Sequence, residues 1–145
     1  MGFSYKRPVG ERNTYKNFEV GVYPAVIKKV KLAKTKADKP KFTIIVNGKN
    51  EESGLYNLVF GNEFTEKNFN YLLASIEDNG TEIPDIDFDY NEETVKFLTG
   101  KNVYIRVELS DWNGELVPAI TEFLNEEEFE AADELPGTEL DSNSQ

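Results

Sequence analysis

The 145-residue chain has no cysteine and no histidine. Without thiols it can form no disulfide, no thiolate zinc site and no cysteine nucleophile, which agrees with a reducing compartment. Without imidazole it lacks the usual general base near neutral pH and the commonest transition-metal ligand. No apolar run approaches the ~20 residues of a membrane span, and the opening MGFSYKRPVGERNTYKN lacks the apolar centre of a signal peptide. Lys6 also stands where an N-myristoylation signal has Ser or Thr. The P-loop, dinucleotide-glycine and zinc-protease motifs are missing. A nuclease built from Asp, Glu and Lys alone is the catalytic class left open, but no residue pattern favours it. The expectation is a soluble intracellular protein that is not an enzyme and holds no metal or cofactor.

What is present is sorted by charge. The formal net charge is −11, yet residues 1–49 carry twelve Lys/Arg against three Asp/Glu, and residues 50–145 carry four against twenty-four. Such asymmetry suggests an anion-binding surface and an acidic tail in one molecule. The stretch KKVKLAKTKADKPK, residues 28–41, alone holds seven lysines. From Glu122 to the end there are nine acidic residues and no basic one. That composition buries too little apolar area to offset the entropy lost on ordering. Residues 126–145 are therefore expected to be a flexible acidic tail, although Phe129 could pack back. Residues 1–17, polar and basic with Pro8 and Gly10, read as a flexible arm.

Between them the periodicity is mostly that of strands. In GVYPAVIKKVKLAK, Val22, Val26, Val30 and Leu32 share one parity, with Lys28, and Ile27, Lys29, Lys31 and Ala33 share the other. TKADKP breaks that strand as a loop. KFTIIVN alternates Phe42, Ile44 and Val46 against Thr43, Ile45 and Asn47, and ends at Asn47-Gly48. GLYNLVFG shows no polar parity, so it reads as a strand buried on both faces. In FTEKNFNYLLASIED the spacing of Phe69, Leu72, Leu73 and Ile76 is helical. Thr65 is the expected N-cap, with Phe64 and Phe69 at staple spacing. NEETVKFLTGK reads as a short helix from Asn91 to its terminator Gly100. NVYIRVEL and LVPAITEFL form a hairpin around Asn113-Gly114, with Pro118 arguing for an edge. Five strands with a helix between the third and fourth, plus a short second helix, is the layout of a mainly β, five-stranded OB-fold barrel over residues 18–125.

On such a barrel Lys29 and Lys31 project from the first strand, and Lys34, Lys36, Lys39 and Lys41 line its exit loop. There they would neutralise phosphates without sequence preference. The plainer reading is a solvated strand edge on which lysine discourages aggregation. Lys28 falls with the core parity and is left out. Stacking on rings would complete a single-strand site. Tyr104 and Arg106 share the outer face of the fourth strand, Trp112 sits at the last hairpin's tip, and Tyr56 lies on the third strand. The plainer reading has Tyr104 covering a sheet face and Trp112 anchoring its turn. DIDFD sets Asp85, Asp87 and Asp89 in alternation, but it lacks the glycine and distal glutamate of a calcium loop and reads as a solvated loop.

The segments GVYPAVIKKVKLAKTKADKPKFTIIV, GLYNLVF, FNYLLASI, LTGKNVYIRVEL and DWNGE, with the closing acidic tail, resemble phage-encoded single-stranded-DNA-binding proteins of OB-fold type. The likeness spans roughly residues 18–125. It implies protection of single-stranded DNA in phage DNA replication and recombination, in the cytoplasm of an infected bacterial host. It also implies a dimer or larger homo-oligomer, and replication or recombination proteins as partners of the tail. Functional relatives in bacteria close their acidic run with an aromatic residue. Here the terminus is LDSNSQ, so Leu135, Leu140 or Phe129 would have to take that place. The contrasting expectation is a protein-interaction module whose acidic surface mimics nucleic acid.

Overall fold

The computed structural model describes residues 16–134. The elements are β1 (Gly21–Lys34), β2 (Pro40–Asn47), β3 (Ser53–Val59), α1 (Thr65–Asp78), α2 (Glu92–Leu98), β4 (Asn102–Trp112), β5 (Glu115–Leu124) and α3 (Glu126–Glu134). The five strands form one antiparallel sheet in the order β3-β2-β1-β4-β5. No helix among the described residues is long and apolar enough to cross a membrane.

The long first strand holds the sheet together by serving two neighbours. Its first half pairs with β4 from Gly21 to Val26, and its second half pairs with β2 from Val26 to Lys34. Between Ile27 and Lys29 the register shifts, which makes Lys28 the extra residue of a β-bulge. The bulge corrects the single parity expected for this strand. Ala25 and Ile27 are buried before it and Val30 after it, so the core-facing residues change from odd to even. Lys28 is exposed rather than turned toward the core.

β2 alternates as its sequence indicates: Phe42, Ile44 and Val46 are wholly buried. They meet Leu32, Val30 and Ile27 across β1. β4 buries Val103, Ile105 and Val107. A second register shift, between Arg106 and Val107, lets β5 bury Phe123 and Ile120 opposite them. At the β4–β5 turn Asn113 has φ 53° and Gly114 φ 87°, the paired positive angles of a tight hairpin turn.

Two strand expectations are corrected. β3 is an edge strand with one wet face, on which Leu55 is 56% exposed, and is not buried on both sides. The sheet is also not closed into a barrel, because no ladder joins β3 to β5 among the described residues. Pro118 withholds a backbone donor from that edge, and a cleft of about 570 Å³ separates the two edges near Phe18, Leu55 and Pro118. The edges meet instead through side chains. The Tyr56 and Phe123 rings contact edge-on at 4.9 Å. A Cβ on Gly54 would fall 2.9 Å from Ile120 Cδ1, so the absent side chain is what admits Ile120.

The helices pack on the sheet through one hydrophobic cluster. α1 buries Phe69, Leu72, Ser75 and Ile76. Its N-cap is Phe64, without a side-chain cap, because the Thr65 hydroxyl is spent elsewhere. It donates to Val59 O at 2.7 Å and accepts from Asn62 N at 3.2 Å. Phe64 is 56% exposed rather than stapled to Phe69. Phe69 packs instead against Phe60 and Phe88. α2 starts as read, with Asn91 Oδ1 accepting from Thr94 N at 2.8 Å, and Gly100 follows it at φ 85°. In the segment before α2, Asp85, Asp87 and Asp89 are exposed while Phe88 turns inward. The Tyr90 hydroxyl ties that segment to the end of β1 by donating to Ala33 O at 2.8 Å.

Residues 126–145 were expected to form a flexible tail. Their first nine, Glu126–Glu134, form α3. Asn125 and Glu128 build a reciprocal capping box: Glu128 N donates to Asn125 Oδ1 at 2.7 Å and Asn125 N to Glu128 Oε1 at 3.0 Å. Residues 1–15 of the expected arm and 135–145 of the expected tail, with Leu135 and Leu140, lie outside the described residues.

Candidate functional site

Strand register decides which candidate residues meet. After the bulge the outward residues of β1 are Lys29, Lys31 and Ala33, and each heads a row across the sheet. Lys29 lies beside Ile45 and Leu55, Lys31 beside Thr43 and Asn57, and Ala33 beside Lys41 and Val59. The outer face of β1-β2-β3 is thus a small plateau with Lys29 and Lys31 along its β1 side, Lys41 on the middle strand, and apolar, hydroxyl or amide side chains beyond. Thr43 Oγ1 donates to Asn57 Oδ1 at 3.1 Å within it.

The loop after β1 extends this basic side. Thr35 folds it into a compact turn: its Oγ1 accepts from Ala37 N and Lys39 N, and its N–H donates to Lys39 O at 2.9 Å. Asp38 takes φ 67° there. Lys36 and Lys39 are left exposed on its rim. Lys34 pairs with Asp38 at 3.6 Å, both largely exposed, a contact worth at most about 1 kcal/mol. Among the described residues no ion pair engages Lys29, Lys31, Lys36, Lys39 or Lys41.

Tyr104 and Arg106 lie on the same outer face but along the other half of β1, opposite Pro24 and Val22. From Pro24 to Lys29 is roughly 17 Å of strand. Both are already occupied. The Tyr104 ring is stacked by Phe129 of α3, with centroids 4.2 Å apart and planes 8° from parallel. Burial raises the Tyr104 pKa above its ordinary value, and the carboxylates of Glu126, Glu130 and Asp78 raise it further. Its backbone is fixed from α1, since Tyr104 N donates to the buried Ser75 Oγ at 2.8 Å. Arg106 Nε donates to Glu122 Oε2 at 2.6 Å across β5, which neutralises its charge.

The remaining two candidates do not join Tyr104 and Arg106. Tyr56 pairs in register with buried Ile44, so it is on the inner side, against Phe123. This corrects its assignment to a stacking surface. Trp112 ends β4 opposite Glu115, about 26 Å of strand from Tyr104. The sequence reading gave no role to half-buried Ile45, and it missed exposed Leu55 and Asn57 because it took β3 to be covered on both faces. It also missed α3, although the Asn125-x-x-Glu128 cap signal was there.

Burial raises the Tyr56 pKa, and Glu122 adds to the rise. Below about pH 10 the phenol is neutral in both folded and unfolded chains, and the stabilisation it gives is complete. Above that, the unfolded chain releases the proton first, so stability falls as pH rises. Tyr56→Phe is expected to flatten this fall, as read from urea midpoints between about pH 8 and about pH 11. An equally steep fall in the variant would show that Tyr56 is not responsible.

Among the described residues no group of three or more acidic side chains gathers closely enough to hold a metal ion. A scan of known family models gives no match to the chain, and no curated protein matches it.

Proposed function

We propose that the chain binds single-stranded DNA without sequence preference, across the outer face of β1-β2-β3 and the loop that follows β1. The observation that carries this reading is the post-bulge register. It brings Lys29, Lys31 and Lys41 onto one face, continuous with the exposed Lys36 and Lys39. Ammonium groups in such a row neutralise successive phosphates and release counterions, while Ile45 and Leu55 offer an apolar surface to bases. The strand order β3-β2-β1-β4-β5, with α1 between β3 and β4, supports an OB-type fold whose last seam is closed by side chains. We take the biological role to be protection of exposed single strands during phage DNA replication and recombination, as the resemblance implies.

The contrasting reading, an acidic module that mimics nucleic acid, draws on the exposed carboxylates of Glu126, Glu127 and Glu130. Titrating labelled oligothymidylate separates the two. If these five lysines and Lys34, exchanging Asp38 for the strand, each meet a phosphate, log affinity falls with log salt at a slope of about −4. That is roughly a 300-fold loss between about 50 mM and about 200 mM salt. Absence of binding at the lower salt would overturn the proposal in favour of the acidic module.

A further inference from the structure

We propose that α3 is a displaceable lid, in which Phe129 occupies on Tyr104 the place that a nucleobase takes when a strand is bound. This rests on the single-strand reading above and adds its regulation. Parallel rings 4.2 Å apart with 8° between their planes have the geometry by which bases stack on aromatic side chains. The surroundings are hostile to a phosphate backbone. Glu126 and Glu130 of α3 and Asp78 of α1 all act on Tyr104, and Arg106 is held by Glu122. A strand that reaches Tyr104 must therefore first move α3.

The helix is built to move. It has nine residues, too few to be stable alone in water. Glu126 and Glu130 repel each other at i,i+4, and no basic residue offsets the dipole in its last turn. Its capping box with Asn125 is local and travels with it. Besides the Phe129 stack, the one side-chain hydrogen bond that ties it to the rest of the fold among the described residues is an exposed one, Glu126 N donating to Asp78 Oδ2 at 2.9 Å. The site then works in two sectors. The lysine plateau is open at all times, and the Tyr104 sector opens only when Phe129 leaves. A strand long enough to span both sectors should pull the lid away, and one confined to the plateau should not.

The test uses the full chain with Phe129→Ala, and Glu126→Gln with Glu130→Gln as a second variant that keeps the helix and its ring. Both are expected to bind long oligothymidylate about tenfold more tightly than the parent, given what one stacked base contributes. A short oligonucleotide should show little change with Phe129→Ala. Adding Tyr104→Ala to Phe129→Ala should erase the gain for the long strand. In the parent, hydrogen exchange of the α3 amides should quicken on saturation with the long strand. Binding with equal affinity in parent and variants, or α3 exchange unchanged at saturation, overturns the lid and leaves the lysine plateau standing. Absence of binding in every form at low salt overturns both.

Discussion

Replacing Lys29, Lys31 and Lys41 together by glutamine is expected to weaken oligothymidylate binding about 100-fold at about 0.1 M salt. Each ammonium that meets a phosphate of a single strand contributes roughly 0.7 of a decade under those conditions, so three contribute about two decades. The log–log salt slope should become shallower by about 2 at the same time. Glutamine keeps most of each side chain, and all three positions lie on the solvent side of the register, so the fold should be untouched. Urea midpoints provide that control. The diagnostic result is the pairing of lower affinity with a shallower slope. Lower affinity with the slope unchanged would mean the lysines support the surface without touching phosphate. Unchanged affinity would remove the plateau from the site.

The largest effect on stability is expected from Phe42→Ala. The ring is wholly buried, lies at 24° to Tyr90 with centroids 5.6 Å apart, and meets Phe60 edge-on at 4.9 Å. Truncating a buried phenylalanine costs about 3–5 kcal/mol, a large share of the roughly 5–15 kcal/mol that holds a domain folded. Urea unfolding should show the midpoint falling with the slope unchanged. The cavity also has a functional consequence. Tyr90, which loses its stacking partner, is the residue whose hydroxyl fixes Ala33 O at the end of β1. Amides of the lysine loop, residues 35–39, should therefore exchange faster in the variant than the stability loss alone explains. A loss below about 1.5 kcal/mol would mean that the surrounding rings collapse into the space.

Much of this arrangement was legible where one physical rule acted alone. The period of β2 and β4, the Asn91 cap of α2, its Gly100 terminator and the Asn113-Gly114 hairpin were all readable from local chemistry. The failures occur where a second constraint intervened. A bulge at Lys28 exchanged the parities of β1, and no residue type announces a bulge. Leu55 looks like a core residue, but the register sets it on the outer face of the sheet, in the row of Ile45 and Lys29, where it is wet. Thr65 is a good cap by type, but Val59 O lies within reach of its hydroxyl. Tyr56 was misplaced because its neighbours gave no parity to follow. α3 has a composition that does not fold alone, and it forms against Tyr104 through a ring that composition counts cannot weigh.

The extra residue in β1 makes the number of residues in that strand matter more than their kinds. Side chains along it can vary within broad limits of size and polarity. Gaining or losing one position between its two pairing partners would invert everything downstream, pressing ammonium groups into oil and lifting valine into water. Length, rather than spelling, is what this ribbon can least afford to change.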